Sequence, residues 1–449
     1  MTIIERRRFR QNHLRKELLR KMSAAVPCDP FQYVTDAAYA GLHQKYPDKD
    51  AALPAIERLE DELLLLQTGE NAVTFYLLHQ YLCEKRKLRP YQFRLASTLN
   101  DSFIAYLMGL SEVNPFGYKI APEWCYGLHG EQVILPEIQI SSKARQHSLQ
   151  DIQALPGVSS AAETLSDYKI GLCPDVGFEF PAIDDEHRRK CEWEHPTFLY
   201  WNIHGSHGID LLLLLEKSIG MPVKEIPLDD EPTLEHLMKH HYHESSQRYD
   251  VSKASIEEEN KCFSHLVGLL KPKNFYELAK IEALMRDTFE DRNLLFETIR
   301  RGIWNIDNII ATSDDAFDFL KAYGFEDDIA FSLAKHIKTG ICRKPLPCFQ
   351  GVHGNAFDEM QKNIRYLFPR GHIIASMLLT WRLNYYAVHF PDTYQKCCEQ
   401  IRTQTSHTEN IPYALKNQPK LDIKIHSRTP LPAQSAHPKG RQIVHETLQ

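Results

Sequence analysis

Residues 363–391, NIRYLFPRGHIIASMLLTWRLNYYAVHFP, decide the fold class, because they hold a helix too apolar to lie on a surface. From His372 to His389, Ile374, Met377, Leu378, Trp381, Tyr385 and Val388 trace one face at helical spacing, and Leu379 and Leu383 widen it. A helix of this kind is expected to be buried on two sides, so other helices must pack around it. The sequence before it supplies them. TLEHLMKHH (233–241), IEEENKCFSHLVGLL (256–270), NFYELAKIEALMR (274–286), NLLFETIRRG (293–302), DDAFDFLKAYG (314–324) and DDIAFSLAKHIKTG (327–340) are each bounded by Gly, Pro, Asn or Asp signals.

Further toward the N-terminus the pattern becomes mixed. Helices are expected at Phe31–His43, Ala55–Gln67, Thr74–Lys87 and Asp101–Leu110; Ile56, Leu59, Leu63 and Leu66 make a buried stripe in the second. Gln132–Ile140 alternates like a strand, CPDVGFEF (173–180) is a second strand candidate, and an apolar stretch at Phe198–Ile203 precedes a helix at Asp210–Ile219. Ser141–Ala162 is polar and Ser/Gln-rich and reads as an exposed connection. The fold class is therefore α+β, predominantly helical, with a small sheet.

With 43% hydrophobic and 25% charged residues and a mean hydropathy of -0.41, the 449-residue chain is that of a globular protein with a sizeable core. Its longest apolar runs, Leu63–Leu66 and Leu211–Leu215, are too short to span a bilayer, so no membrane role is expected. The first residues lack the apolar stretch of a secretory signal, and a cytoplasmic location is expected. The ten cysteines contain no CxxC pair and read as free thiols. Net charge is -6, so attraction to nucleic acid would have to be local. Met1–Met22 carries eight Lys or Arg against two Glu, and Ile401–Gln449 seven against three acids. Residues 1–30 read as a basic arm, residues 401–449 as a disordered basic tail.

Several phrases, in order, resemble the polymerase core of the PolC-type (bacterial family C) DNA polymerase III alpha subunit. AIERLEDELLLL (55–66) and FYLLHQYLCEK (75–85) resemble the helix pair before that family's nucleotide-binding turn. SFIAYLMGLSEVNPF (102–116) is close to its Ser-Phe-Val-Ala…Thr-Glu-Val-Asn-Pro-Leu segment, and LLEKSIGMPVKEIPLDD (214–230) to its Ile-Pro-x-Asp-Asp stretch. KPKNFYELAKI (271–281), residues 314–340 and residues 363–391 follow its fingers subdomain to the Tyr-Met-Phe-Pro-Lys-Ala-His helix. Order and spacing agree from about Tyr39 to Tyr394. The resemblance implies a nucleotidyltransferase-like palm at 31–210, with the polar connection at about 141–162 inside it, and helical fingers at 211–400. The family's exonuclease, phosphoesterase and clamp-binding regions have no counterpart here. Its zinc-binding CxxC pairs are also missing, since Cys125 stands alone.

The family's chemistry needs an Asp-x-Asp strand and a third Asp on a neighbouring strand, which share two Mg²⁺ ions about 3.5–4 Å apart. Asp175 matches the first position, but Gly177 stands at the second and Asn202, in YWNIHGSHG, at the third. Glu179 lies on the face of Asp175 but about 13 Å along a strand. The family's Gly-Ser turn, which offers backbone amides to the triphosphate, corresponds to FRLASTLNDS (93–102), which has no glycine. There, Ser97, Thr98 and Asn100 read as caps of the next helix. Arg94, Arg365, Arg370 and His372 are the candidates for facing phosphate or nucleic acid. His236 and His240, at i and i+4, have the spacing of a metal pair or simply decorate an exposed helix end. His195, His204 and His207 would join Asp175 if the two strands paired.

The expectation is a degenerate, non-catalytic polymerase-core homologue that binds DNA, other nucleic acid or a replication-associated protein partner, and needs no cofactor. One alternative is an active DNA-directed DNA polymerase using Mg²⁺ on a rearranged set, Asp175 and Glu179 with Asp184 or Asp185. The other is a protein-interaction module without nucleic acid.

Overall fold

The structure, a computed structural model, describes residues 3–96, 98–163, 169–174, 199–239, 253–286, 288–340, 357–358 and 361–405. The chain opens with α1 (Ile3–Ala25), whose Leu18, Leu19 and Met22 are buried against the first half of the molecule. Next comes α2 (Pro30–Lys45), started by the Asp29 carboxylate, which accepts from the Phe31 N–H at 2.9 Å, and by proline in the first turn. The helix α3 (Lys49–Gly69) buries Leu59, Leu63 and Leu66 of the expected stripe, while Ile56 is only half-buried and Ala55 is the enclosed residue beside it. A continuous apolar helix follows, α4 (Ala72–His79), which runs on as a π-helical turn at Gln80–Lys85.

The sheet has five strands, β1 (Phe93–Leu95), β2 (Glu137–Ile140), β3 (Ser160–Glu163), β4 (Lys169–Cys173) and β5 (Leu199–Gly205), in the order β1-β2-β5-β4-β3. Only β2 and β5 run parallel; the other pairs are antiparallel. Ile203 and Ile138, neighbours in that parallel register, are wholly buried, as befits the middle of a sheet covered by helices. Along the chain, α5 (Phe103–Leu107) and α6 (Glu123–Tyr126) lie between β1 and β2.

The polar stretch at 141–162 is not an exposed connection. It folds into α7 (Ser142–Arg145), α8 (Ser148–Gln153) and the edge strand β3. Ser148 and Ile152 are fully buried, and the Ser148 hydroxyl accepts from Tyr81 at 2.9 Å, so the hydroxyl that looks like a surface marker is a satisfied core group.

From α9 (His207–Ile219) the chain is helical. Ser206 caps that helix, and Gly220 closes it in the left-handed conformation at φ 78°, which only glycine adopts without strain. The helices α10 (Glu231–Lys239), α11 (Lys253–Leu270), α12 (Phe275–Met285), α13 (Arg292–Arg300), α14 (Ser313–Ala322) and α15 (Asp327–Lys338) precede α16 (Arg370–His389) and α17 (Pro391–Thr405), and α9, α10, α12 and α17 pack directly on α16. As expected, α16 is buried on most sides, but Tyr386, not Tyr385, is the fully enclosed ring, with its hydroxyl donating to Met221 O at 2.8 Å. Trp381, also fully buried, donates from Nε1 to Pro227 O at 2.8 Å. No helix among the described residues is long and apolar enough to cross a membrane.

Candidate functional site

The first turn of α16 meets β1 and the turn after it. There, residues 98–101 form a 3₁₀ turn, and the cap of α5 is Ser102, whose hydroxyl accepts from Ala105 N at 3.0 Å. The sequence pattern assigns this role to Ser97, Thr98 and Asn100 instead. Ser97 lies outside the described residues, Thr98 opens the 3₁₀ turn, and Asn100 points inward, donating to Leu95 O and accepting from the Ser111 hydroxyl at 2.8 Å. The free amides of α5 are met by Glu62, a fully buried carboxylate on α3, which accepts from Phe103 N at 2.8 Å and Ile104 N at 3.2 Å. Arg58 neutralises it, with Nη2 to Oε1 at 2.8 Å.

Two of the expected phosphate-facing residues are brought together. The His372 ring donates from Nδ1 to Ala96 O at 2.7 Å and accepts at Nε2 from Arg286 at 3.2 Å. This pairing requires the neutral imidazole. Burial, and then the charges of Arg286 and Arg94, push its pKa down to about 3. Arg94, on β1, donates from Nε to the Gln139 side chain at 3.0 Å. Phe368 stacks on the His372 ring at 5.4 Å.

Arg370 points elsewhere. Its Nη1 donates to the carbonyls of Tyr118 and Lys119, at 3.2 and 2.8 Å, and its Nη2 to Asp315 and Asp318, at 3.0 and 2.9 Å. Only 5% exposed, it is held inside the protein by its own acids. Arg365 is exposed and joins the fold through its backbone N–H, which donates to Thr288 O at 2.8 Å. Beneath the first turn of α16 sits an unpredicted pair of buried carboxyls, Asp101 and Asp314. The Asp314 Oδ2 accepts the Arg370 N–H at 2.9 Å; its Oδ1 and both Asp101 oxygens meet no well-placed hydrogen-bond donor among the described residues. A Cβ at Gly371 would come within 2.3 Å of Asp101 Oδ1, so the glycine lets the helix approach this carboxyl. Burial first, and then Asp314, drives the Asp101 pKa well up, while Lys338 and the Gly371 amide draw it back. The Asp314-Asp315 doublet in the sequence is the one visible hint of this cluster.

Asn202 occupies the centre of the sheet, in register with Glu137 of β2 and Lys169 of β4, and its Oδ1 is buried without a partner among the described residues. The strands on either side do pair, but Asp175, Gly177, Glu179, Asp184, Asp185, His195 and His240 lie outside the described residues. His204 is 3.6 Å from Glu137, His207 is 3.3 Å from Asp210, and His236 is half-buried on α10. Among the described residues no three His, Cys, Asp or Glu side chains are placed to hold a metal ion. A neutral amide beside a lysine is a poor Mg²⁺ ligand, so the described residues do not themselves fit a metal pair.

No protein-family model matches the chain. Among curated proteins it is similar to the PolC-type DNA polymerase III of Oceanobacillus iheyensis, with 25% identity over 297 residues, 59% of this chain and 19% of that protein. It is similar to the protein of the same name from Caldanaerobacter subterraneus at 23% over 263 residues, 51% of this chain and 17% of the relative. To that of Staphylococcus haemolyticus it is 26% identical over 259 residues, 50% and 16% of the respective chains. The chain thus spans less than a fifth of the length of these relatives, and the findings support a PolC-like relationship over about half of it.

Proposed function

We propose that this protein is a polymerase-core homologue that does not catalyse nucleotide transfer and that binds nucleic acid or a replication-associated partner. Its 31–210 portion is palm-like and its 211–400 portion fingers-like. The observation that carries the reading is the internal neutralisation around the first turn of α16. Arg370, a candidate phosphate ligand, has both Nη atoms taken by Asp315, Asp318 and two carbonyls, and Asp101 brings a carboxyl up to the Gly371 backbone. An incoming polyphosphate would meet buried carboxyls there and an Arg370 whose Nη atoms are already taken. Asp175 is then a remnant, with Gly177 and Asn202 in the partner positions. A protein of this kind works in the cytoplasm.

The name of the similar proteins favours a second reading, an active DNA-directed polymerase that holds Mg²⁺ on Asp175, Glu179 and Asp184 or Asp185. Primer extension with Mg²⁺ or Mn²⁺ separates the two. Nucleotide incorporation that disappears in Asp175→Ala overturns the non-catalytic reading. A primer-template anisotropy titration at two salt concentrations checks the binding half: affinity should weaken as salt rises. Co-purification of a protein with no DNA dependence, and no titration signal, would point to an interaction module instead.

A further inference from the structure

Between α12, α14 and the loop at 117–119 the fold leaves a cleft of about 620 Å³. That lies within the range of small-ligand pockets, about 300–1,000 Å³. Asp101, Asp314 and His372 do not line it, but Arg370, Asp315 and Asp318 do, so it opens beside the cluster beneath α16. One wall is aromatic: Tyr118 and Tyr276 stack with centroids 5.9 Å apart and planes 28° off parallel.

The polar groups in the cleft have capacity left. Lys280, 8% exposed, lies over the Tyr276 ring at 5.6 Å and donates to Ile306 O at 3.0 Å and Asp307 O at 3.3 Å, with no third oxygen or nitrogen acceptor among the described residues. The Tyr276 hydroxyl makes no hydrogen bond among the described residues. Asp318 gives one oxygen to Arg370 at 2.9 Å, and its side chain is 58% exposed, so the other oxygen remains open. Donors therefore come from α12 and an acceptor from α14. The lining holds Lys119, Lys280 and Arg370 against Asp307, Asp315 and Asp318, and is formally neutral. A polyphosphate would face these acids with no surplus of positive charge, whereas a purely apolar ligand would leave Lys280 and Asp318 desolvated and unpaired.

We infer that this cleft binds a planar, uncharged heteroaromatic ring with donors and acceptors on its edge, the chemistry of a purine base, laid on the Tyr118–Tyr276 wall. The base would belong either to a free nucleoside or to an unpaired position in a single strand. The assignment rests on the cleft and not on the polymerase-like reading, and it survives if the protein proves to be an active polymerase.

Equilibrium dialysis of the full chain with tritiated adenosine tests it, with ATP and L-tryptophan as competitors and a fluorescent oligo-dA strand as a second probe. Saturable adenosine binding is expected, with ATP competing more weakly than adenosine. Tyr276→Leu should weaken it roughly tenfold or more, the scale of one base–aromatic stack. Tyr276→Phe, which keeps the ring, should retain most of it, and circular dichroism should match the wild type for both variants. If oligo-dA binds and adenosine displaces it, the base comes from a strand; adenosine binding with no oligo-dA binding assigns the site to nucleosides. Absence of saturable binding by either probe overturns the inference. So does displacement by L-tryptophan with adenosine ineffective, or adenosine affinity unchanged in a folded Tyr276→Leu.

Discussion

At the scale of single residues, the buried carboxyls Glu62 and Asp101 stand at opposite extremes. Glu62 accepts from two helix amides and the hydroxyls of Ser102 and Tyr126, each at 3.2 Å, and is paired with Arg58. Glu62→Ala strands these donors and the guanidinium in the core. It should lower unfolding free energy by about 3–5 kcal/mol in urea denaturation. Asp101 has the opposite character. Its carboxyl faces Asp314, Lys338, Arg370 and the Gly371 amide, and its folded pKa lies above the ordinary 3.8, as does that of Asp314. The folded state therefore binds more protons than the unfolded state above that value, and this pair's contribution to stability falls as pH rises through the window. Asp101→Asn removes its share of the loss. The stability difference between variant and wild type should grow in the variant's favour from about pH 4 to about pH 8. An equal difference at both would show that Asp101 titrates normally.

At the scale of elements, much of the helical framework is legible because it depends on local periodicity and punctuation. The stripe on α3, the Asn274 cap of α12 and the Gly220 stop of α9 are each written within a few turns of sequence. Where α2 crosses α5, the determinant is not local. A Cβ on Gly41 would come within 2.0 Å of Leu107 O, so the two helices touch backbone to backbone there. Gly41→Ala should cost about 3 kcal/mol or more through forced separation, a larger loss than the roughly 1 kcal/mol that alanine's helix propensity returns. A thermal melt in which Gly41→Ala equals the wild type would show that the crossing can relax. The stretch at 141–162 misleads for a similar reason: Ser148 looks like a surface residue until Tyr81, far away in the chain, supplies its partner.

At the scale of the whole molecule, the sheet half and the helical half are joined by specific polar links. Arg382 on α16 holds Glu112 with two bonds, at 2.6 and 2.7 Å, Tyr91 donates to Glu216 at 2.8 Å, and His372 reaches Ala96. Because α16 packs against residues of both halves, urea unfolding followed by tryptophan fluorescence and by far-UV circular dichroism should give coincident transitions. Trp201 reports from the sheet, and Trp304 and Trp381 from the helical core. Arg382→Ala should lower the midpoint by the equivalent of about 2 kcal/mol, the scale of hydrogen bonds to a charged group. Separate transitions for the two probes would show that the halves unfold independently.

The sequence by itself determined the helical majority, the small sheet, the buried character of α16 and the PolC-like order of phrases, because these rest on periodicity and on short motifs. It also placed Asn202 on a strand. Only the tertiary structure decided what the charged residues do. Arg370 reads as a phosphate ligand until Asp315 and Asp318 meet it, His372 reads as phosphate-facing until burial and the charges of Arg286 and Arg94 hold it neutral, and Asp101 gave no signal at all. Ionisation and hydrogen bonding depend on the groups the fold brings within about 3 Å, and these lie dozens to hundreds of residues away along the chain.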